Sequence, residues 1–210
     1  MLNALIHSWN NSNVSLPAIV ELGQTFFSFI EKFNLVQNLS IAHLNLNYNV
    51  ENLQWIGIDN SEFCNTTAQI LHGSYNQNIK IYKDWKSFQK EEYAIFHSRF
   101  VCSYAFQSTA TLADYICENF DCALIEDAFS VTDNEEITHN HGQKELFFNI
   151  NLFNQLLFNN NFETYILDYY GDWPAGSNQC LVVKMLIIKT GSINQEKFKS
   201  FLIPFIKNKL

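Results

Sequence analysis

The chain has 210 residues, of which 47% are hydrophobic and 16% charged, and its 21 acidic and 13 basic residues give a formal net charge of −8. This length suits one domain with a sizeable core, and the composition excludes an intrinsically disordered chain. An acidic chain without a basic stripe is also poorly suited to binding nucleic acid through its phosphates. We therefore expect a single domain over residues 1–210 with no nucleic-acid partner.

Sequence signals for membrane insertion or secretion are not evident. The longest apolar-leaning run, Cys180 to Ile188, is interrupted by Lys184 and is much shorter than the ~20 residues that span a bilayer. Met1 to Ser12 shows no basic segment followed by an apolar core, as a secretory signal would. We expect a soluble, cytoplasmic protein that does not contact a membrane and whose five cysteines are thiols.

The N-terminal quarter predicts a helix, a strand and a second helix. Apolar residues at helical spacing predict a helix within residues 1–15. Ala18 to Leu22 is a short apolar run that ends at Gly23, as a strand does when it enters a turn. Residues 25–33 predict a helix with one apolar face, whereas the Asn-rich residues 34–52 fit either a helix or a strand.

From residue 53 onward, predicted strands and helices alternate. The strands are expected at 53–59, 78–82, 92–96, 121–127, 162–168 and 179–189, and the helices at 61–72, 110–118, 145–159 and 194–207. A turn or helix start is expected at 98–106 and a polar loop at 130–143.

Such alternation implies a mainly parallel sheet with helices on both faces. The loop between the last two strands is too short for a helical crossover, so these strands are expected to be antiparallel neighbours. We predict a three-layer, Rossmann-like α/β fold with a core over residues 16–190 and a C-terminal helix within 191–210.

This order of elements resembles that of class I S-adenosylmethionine-dependent methyltransferases, over roughly residues 16 to 190. Their mostly parallel, seven-stranded sheet ends in a reversed, antiparallel hairpin. The first local match runs from Ile19 to Gly23 and looks like the family's first strand, in which an acid is followed by a glycine loop. The resemblance implies that Glu21 and Gly23 flank the methionine end of bound S-adenosylmethionine.

Two further matches concern the nucleoside. The run from Trp55 to Asp59 resembles the family's second strand, whose terminal acid binds the ribose, and a carboxylate offers two acceptor oxygens to a vicinal diol. A helix cap or a solvent-exposed acid remains the alternative for Asp59. Asp84 and Trp85 follow the next predicted strand and resemble the residues that meet the adenine. The long separation of Glu21 from Asp59 implies an insertion at 36–52.

Residues that follow the fourth predicted strand are candidates for the acceptor side. The resemblance places substrate-facing residues there, and His97, Arg99 and Tyr104 occupy this stretch. A nearly neutral histidine can act as a base, so His97 and Tyr104 are the predicted catalytic residues. A partly buried histidine without a catalytic task is the alternative.

Two groups of residues contain side chains that can bind metal ions, but neither group is predicted to form a metal site. His139 and His141 lie near carboxylates in the polar loop, and Glu126 and Asp127 end a predicted strand. Their number and spacing fall short of a recognisable zinc or magnesium site. The aromatic run from Asp168 to Pro174 suits either a lid over a pocket or an interface with a protein partner or a second copy.

Two functions remain open from the sequence. The first is methyl transfer from S-adenosylmethionine to a small-molecule or peptide acceptor. The second is a methyltransferase-like subunit that has lost the cofactor and serves as a protein-binding or scaffold partner. It arises because Gln24 to Phe27 stand where the family has its later glycines.

Overall fold

The computed structural model describes Leu5 and residues 17–23, 54–72, 79–90, 93–132, 136–138, 144–172 and 180–210. Within these segments the strands are β1 (Ala18–Leu22), β2 (Trp55–Ile58), β3 (Ile79–Tyr82), β4 (Ala94–Arg99), β5 (Cys122–Ser130), β6 (Glu136–Thr138), β7 (Lys144–Leu146), β8 (Phe148–Asn149), β9 (Phe162–Asp172), β10 (Cys180–Lys189) and β11 (Asn208–Lys209). The α-helices are α1 (Glu62–His72), α2 (Cys102–Ala105), α3 (Thr109–Asn119), α4 (Ile150–Asn159) and α5 (Gln195–Lys197), with 3₁₀ turns at Trp85–Ser87 and Ile203–Phe205 and a π turn at Phe198–Leu202.

The main sheet has the strand order β11-β9-β10-β5-β4-β1-β2-β3, and β8 adds two residues beside β5. The strands from β1 to β5 pair in parallel, whereas β10 is antiparallel to both β5 and β9. The predicted mostly parallel sheet with a C-terminal antiparallel hairpin is confirmed. The short strands β8 and β11 extend it beyond the seven that the resemblance implies.

Alternating side chains of the strands build two cores, because successive residues of a strand point to opposite faces. On the first face, Val20, Ile56 and Phe96 pack with side chains of α3 and α4. On the second face, Ile19, Trp55 and Ile95 pack with Ala68 of α1, Leu5 and the π turn. The sheet is therefore covered on both faces, as the predicted three-layer architecture requires.

Two central strands continue further than the sequence predicts. The fourth strand was expected at 92–96, but β4 runs from Ala94 to Arg99 and so includes His97. Likewise β5 continues to Ser130, which places Glu126 and Asp127 inside a fully buried strand and not at its end. Charged side chains remain in both strands because partners from distant parts of the chain bind them.

Helix α4 also begins later than predicted. The expected helix at 145–159 is replaced by β7, β8 and a helix that starts at Ile150. Asn149 sets this boundary, since its Oδ1 accepts the Leu152 N–H at 2.7 Å as an N-cap. The expected loop at 130–143 likewise contains β6, which pairs with β7 in a separate two-stranded sheet.

The C-terminal segment is not the single helix expected within 191–210. The chain passes from α5 into a π turn and then a 3₁₀ turn that contains Pro204. Proline cannot donate the backbone hydrogen bond that would continue a helix. The chain ends in β11, which pairs with β9 at the sheet edge.

Several predictions fall outside the described residues: the N-terminal helix apart from Leu5, the helix at 25–33, the segment 34–52, Gln24 to Phe27, and His139 and His141. All five cysteines are free thiols, as expected. None of the helices described is both long enough and apolar enough to cross a bilayer.

Candidate functional site

A cleft of about 590 Å³ opens at the carboxyl ends of β1, β2 and β3. It lies where the strand order reverses, since β1 stands between β2 and β4. Open α/β sheets bind ligands at such a position, and the volume is that of a small-molecule site. The described lining consists of residues 22–23, 58–60 and 83–85 together with Val101, Tyr104 and Ala105.

Gly23 makes the tight turn that follows β1. Its φ of +68° belongs to a region that residues with a side chain rarely adopt. Its N–H donates to the Ile58 carbonyl at 2.8 Å, which joins the turn to the end of β2. A β-carbon at this position would lie only 2.6 Å from Val101 Cγ2. Both the backbone conformation and the close approach of Val101 therefore require glycine here.

Asp59 follows β2 and is half-buried at the cleft. Its Oδ1 accepts the Ser61 N–H at 2.8 Å, and its carbonyl accepts the Asn65 side-chain amide at 2.8 Å. Ser61 caps α1, because its Oγ accepts the Cys64 N–H at 3.2 Å. Asp59 thus lines the cleft with a carboxylate that stabilises a local turn through one of its two oxygens.

Asp84 and Trp85 form the third side of the cleft. The Asp84 Oδ1 accepts the Lys86 N–H at 3.1 Å and caps the 3₁₀ turn. The indole Nε1 of Trp85 donates to the Ala105 carbonyl at 3.0 Å. Its ring packs against Phe106, with the centroids 4.7 Å apart, and against Tyr115 at 5.0 Å. These contacts fix one aromatic wall of the cleft and connect it to α2.

The two predicted catalytic residues lie in different places. Tyr104 lines the cleft and is 80% exposed. His97 pairs in register with Glu21, and its Nδ1 is 3.6 Å from the Glu21 Oε1, an ion pair when the histidine is protonated. Both side chains lie on the second face, which carries Ile19 and Ile95. In the described structure Glu21 and His97 are brought together but do not line the cleft.

Glu126 and Asp127 do not form a joint metal site. They point to opposite faces of β5, since they are successive residues of one strand. The Glu126 carboxylate lies 3.1 Å from Arg99 Nε and 3.6 Å from Lys184 Nζ. Asp127 is buried and accepts the Cys102 N–H at 3.0 Å. Over the described ranges, no group of three or more His, Cys, Asp or Glu residues is placed to hold a metal ion.

Burial dominates the electrostatics of Asp127. The side chain is surrounded by the first-face core, and this desolvation raises its pKa to about 6. Hydrogen bonds from the backbone of Ala128, Cys102 and Ser103 oppose the rise, because they stabilise the carboxylate. The Asp127 carboxylate therefore binds its own strand at Ala128 and also α2, the helix that borders the cleft.

Of the predicted site residues, five line one cleft: Gly23, Asp59, Asp84, Trp85 and Tyr104. The sequence reasoning missed Val101 and Ala105, which also line it, and considered Asp127 only as a metal ligand. Val101 follows closely after a strand, and this position could have indicated its role. Because β4 ends at Arg99, the residues that follow it lie at the carboxyl edge of the sheet.

Comparison with known proteins places the fold. No protein-family model matches the sequence, and no curated protein matches it significantly. The O-methyltransferase from a trans-AT PKS multienzyme of Brevibacillus brevis, in complex with S-adenosyl-L-homocysteine, has a TM-score of 0.56 at 10% identity, and the match covers 96% of this chain and 75% of that chain. An S-adenosylmethionine-dependent methyltransferase from Mesorhizobium loti has a TM-score of 0.51 at 10% identity, with 81% and 90% covered.

A third similar structure is the N-terminal domain of EvdMO1 in the presence of SAH and D-fucose. Its TM-score is 0.53 at 11% identity, with 82% of this chain and 76% of that chain covered. In a longer EvdMO1 structure, the match spans only 37% of that chain. Together with the strand order and the antiparallel hairpin, these similarities show that the chain has the fold of the class I S-adenosylmethionine-dependent methyltransferases.

Proposed function

We propose that this chain binds S-adenosylmethionine in the cleft and transfers its methyl group to a small-molecule acceptor. The proposal depends on the position of three predicted cofactor-binding residues. Gly23, Asp59 and Trp85 belong to separate stretches of sequence, and all three line the same cleft where the strand order reverses. The solved neighbours from Brevibacillus brevis and the EvdMO1 domain contain S-adenosylhomocysteine, which is the product of such a transfer.

Each side of the cleft fits one part of the cofactor. Asp59 would accept hydrogen bonds from the ribose through its Oδ2, since its side-chain bond within the described segments, to Ser61, uses the Oδ1. Trp85 would contribute an aromatic surface to the adenine. Gly23 would present the backbone of the turn after β1 to the methionine portion, in a conformation that residues with a side chain rarely adopt.

The charge of the cleft also favours this cofactor over phosphorylated nucleotides. Its described lining contains the carboxylates Asp59 and Asp84 and the single ammonium group of Lys83. S-adenosylmethionine carries a cationic sulfonium and no phosphate. Carboxylates close to a phosphate repel it, whereas they attract a cation.

Bound S-adenosylmethionine supplies an electrophilic methyl group, so the protein contributes mainly alignment of the acceptor and exclusion of water. Tyr104 is the better placed of the two predicted catalytic residues, because its exposed side chain borders the cleft. Its hydroxyl would accept a hydrogen bond from the acceptor nucleophile and so orient it, and the proton released on methylation would pass to solvent at this exposed position. His97 pairs with Glu21 outside the described cleft lining, so no contact with the acceptor is proposed for it.

The neighbouring structures favour a small molecule over a peptide as the acceptor. The EvdMO1 domain was solved with D-fucose present, and the Brevibacillus brevis enzyme is an O-methyltransferase of a trans-AT PKS multienzyme. A peptide acceptor therefore remains the second choice for this chain.

Thermal or denaturant unfolding with added ligand tests the proposal. S-adenosylhomocysteine at 100 times its dissociation constant should stabilise the fold by about 2.7 kcal/mol, and ATP at the same concentration should not. The proposal fails if millimolar S-adenosylhomocysteine leaves the stability unchanged, or if ATP stabilises equally. The first of these results would favour a methyltransferase-like scaffold without cofactor.

A further inference from the structure

Helix α2 is a wall of the cleft that does not stabilise its own first turn. Val101 and Ala105 at its two ends, and Tyr104 within it, line the cleft. The N–H groups in the first turn of a helix have no acceptor inside that helix. The N-cap residue of α2 is Val101, whose side chain makes no capping hydrogen bond. An acceptor from elsewhere in the chain is therefore needed.

Asp127 on β5 provides that acceptor from 25 residues away. Its Oδ2 accepts the Cys102 N–H at 3.0 Å, and the nearby backbone of Ser103 also lowers the pKa of the carboxyl group. Its Oδ1 accepts the Ala128 N–H at 2.8 Å, which orients the carboxylate on its own strand. Asp127 is only 3% exposed, so water does not compete for these bonds.

The other end of α2 is also held from outside. The Ala105 carbonyl accepts the Trp85 indole N–H at 3.0 Å. Hydrogen bonds therefore hold the helix at both ends, from Asp127 at its first turn and from Trp85 at its last residue. These bonds also fix the position of Val101, whose methyl groups fill the space beside Gly23.

Placing a carboxylate here has a cost, since burial of Asp127 disfavours its charged form. Hydrogen bonds to the charged group, which are stronger than bonds between neutral groups, offset this cost only in part. One of them goes to α2, and an apolar side chain at position 127 would leave the Cys102 N–H buried without an acceptor.

We propose that Asp127 is a positioning residue for the cleft. By accepting the Cys102 N–H in the first turn of α2, it sets the distance of Val101 and Tyr104 from Gly23 and thereby the affinity for the cofactor. Because this role presupposes the proposed cofactor binding, its test needs one measurement without ligand and one with ligand.

Asp127→Asn is the test variant, and Asp121→Asn is the matched control. The asparagine keeps the shape of residue 127 but replaces one acceptor oxygen by a donor. Asp121 is another buried carboxylate, at 8% exposure, and it pairs with Lys90 at 2.7 Å. It immediately precedes β5 and therefore lies at the amino end of that strand, away from the cleft. Both variants lose a buried charge, but only Asp127→Asn removes an acceptor from α2.

We expect Asp127→Asn to bind S-adenosylhomocysteine about tenfold more weakly than the wild type in calorimetric titration. Asp121→Asn should bind it as the wild type does. Without ligand, hydrogen–deuterium exchange should accelerate in peptides that cover residues 101–106 of Asp127→Asn and stay unchanged in Asp121→Asn. If the asparagine variant does not fold, Asp127→Ser takes its place, because it also removes the charge and introduces a smaller side chain.

Unchanged exchange at 101–106 in the folded Asp127 variant, or unchanged affinity for S-adenosylhomocysteine, would overturn the positioning role. A wild-type chain that binds no S-adenosylhomocysteine would instead refute the proposed function. In that case the exchange measurement alone decides whether Asp127 positions α2.

Discussion

Val101 occupies the space that a side chain at position 23 would need. A β-carbon on Gly23 would lie 2.6 Å from Val101 Cγ2 and 2.9 Å from Cγ1, closer than packed atoms approach each other. The turn after β1 and the segment after β4 can therefore be this close only while residue 23 is glycine. This contact closes the cleft at the point where the strand order reverses.

Gly23→Ala should accordingly destabilise the fold more than a positive φ alone explains. The left-handed conformation costs an added side chain about 1–2 kcal/mol, and the overlap with Val101 adds to this. Gly191→Ala is the control, because Gly191 has a φ of +86° but open space around its β-carbon position. Urea unfolding of both variants measures the difference. Equal losses of stability would show that Val101 yields without cost.

Asp59→Asn should separate ligand binding from the local turn. Asparagine retains an Oδ1 that can accept the Ser61 N–H, so the stability should change by less than about 1 kcal/mol. The affinity for S-adenosylhomocysteine should fall by about tenfold or more, since hydrogen bonds to a charged group contribute roughly 1.5–3 kcal/mol.

Ser61→Ala is the counterpart of Asp59→Asn. It removes the cap of α1 and should cost about 1 kcal/mol of stability without changing that affinity. Calorimetric titration and chemical unfolding of both variants check this pair. Wild-type affinity in Asp59→Asn would rule out the ribose assignment.

Trp85→Phe should weaken the connection between the aromatic wall and α2. Phenylalanine keeps a ring beside Phe106 and Tyr115 but loses the hydrogen bond to the Ala105 carbonyl. We expect a loss of about 1 kcal/mol in the free energy of unfolding and weaker binding of S-adenosylhomocysteine.

Tyr115→Phe is the matched control for Trp85→Phe. The Tyr115 hydroxyl is buried and has no hydrogen-bond partner among the residues that the structure describes. Removing it should leave stability unchanged or slightly increased. A Tyr115→Phe variant as destabilised as Trp85→Phe would contradict the role given to the indole N–H.

The raised pKa of Asp127 predicts a pH dependence of stability opposite to that of a paired surface carboxylate. Burial raises this pKa from 3.8 to about 6, so the folded protein binds the proton more tightly than the unfolded chain does. The contribution to stability is fully present below about pH 4 and is lost as the pH rises through about 6.

Two pKa units correspond to about 3 kcal/mol. The stability of the wild type relative to Asp127→Asn should therefore fall by about that amount between roughly pH 4 and pH 7. Chemical unfolding of the two proteins across this range gives the difference directly. A difference that does not change with pH would contradict the assignment.

The sequence predicted the position of a strand correctly where a glycine or a polar residue marks the end of an apolar run. The apolar run of β1 ends at Gly23, and β2 ends before Asp59, so both strands lie where expected. The end of β4 was not predictable in this way. Its last three residues are polar, and the partners of His97 and Arg99, which are Glu21 and Glu126, are distant in sequence.

The candidate site was predictable to a similar extent. Gly23, Asp59 and Trp85 belong to patterns that can be read along the chain. Val101 and Asp127, in contrast, contribute through contacts across the sheet, one with the turn after β1 and one with α2. No spacing in the sequence indicates these contacts, because they depend on which strands become neighbours.

A crystal structure of the wild-type chain grown with saturating S-adenosylhomocysteine tests the central claim most directly. We predict the ligand in the cleft between Gly23 and Trp85, with a ribose hydroxyl within hydrogen-bond distance of the Asp59 carboxylate. A cleft without ligand under these conditions, or ligand bound at another surface, would contradict the proposal that this chain binds S-adenosylmethionine in the cleft.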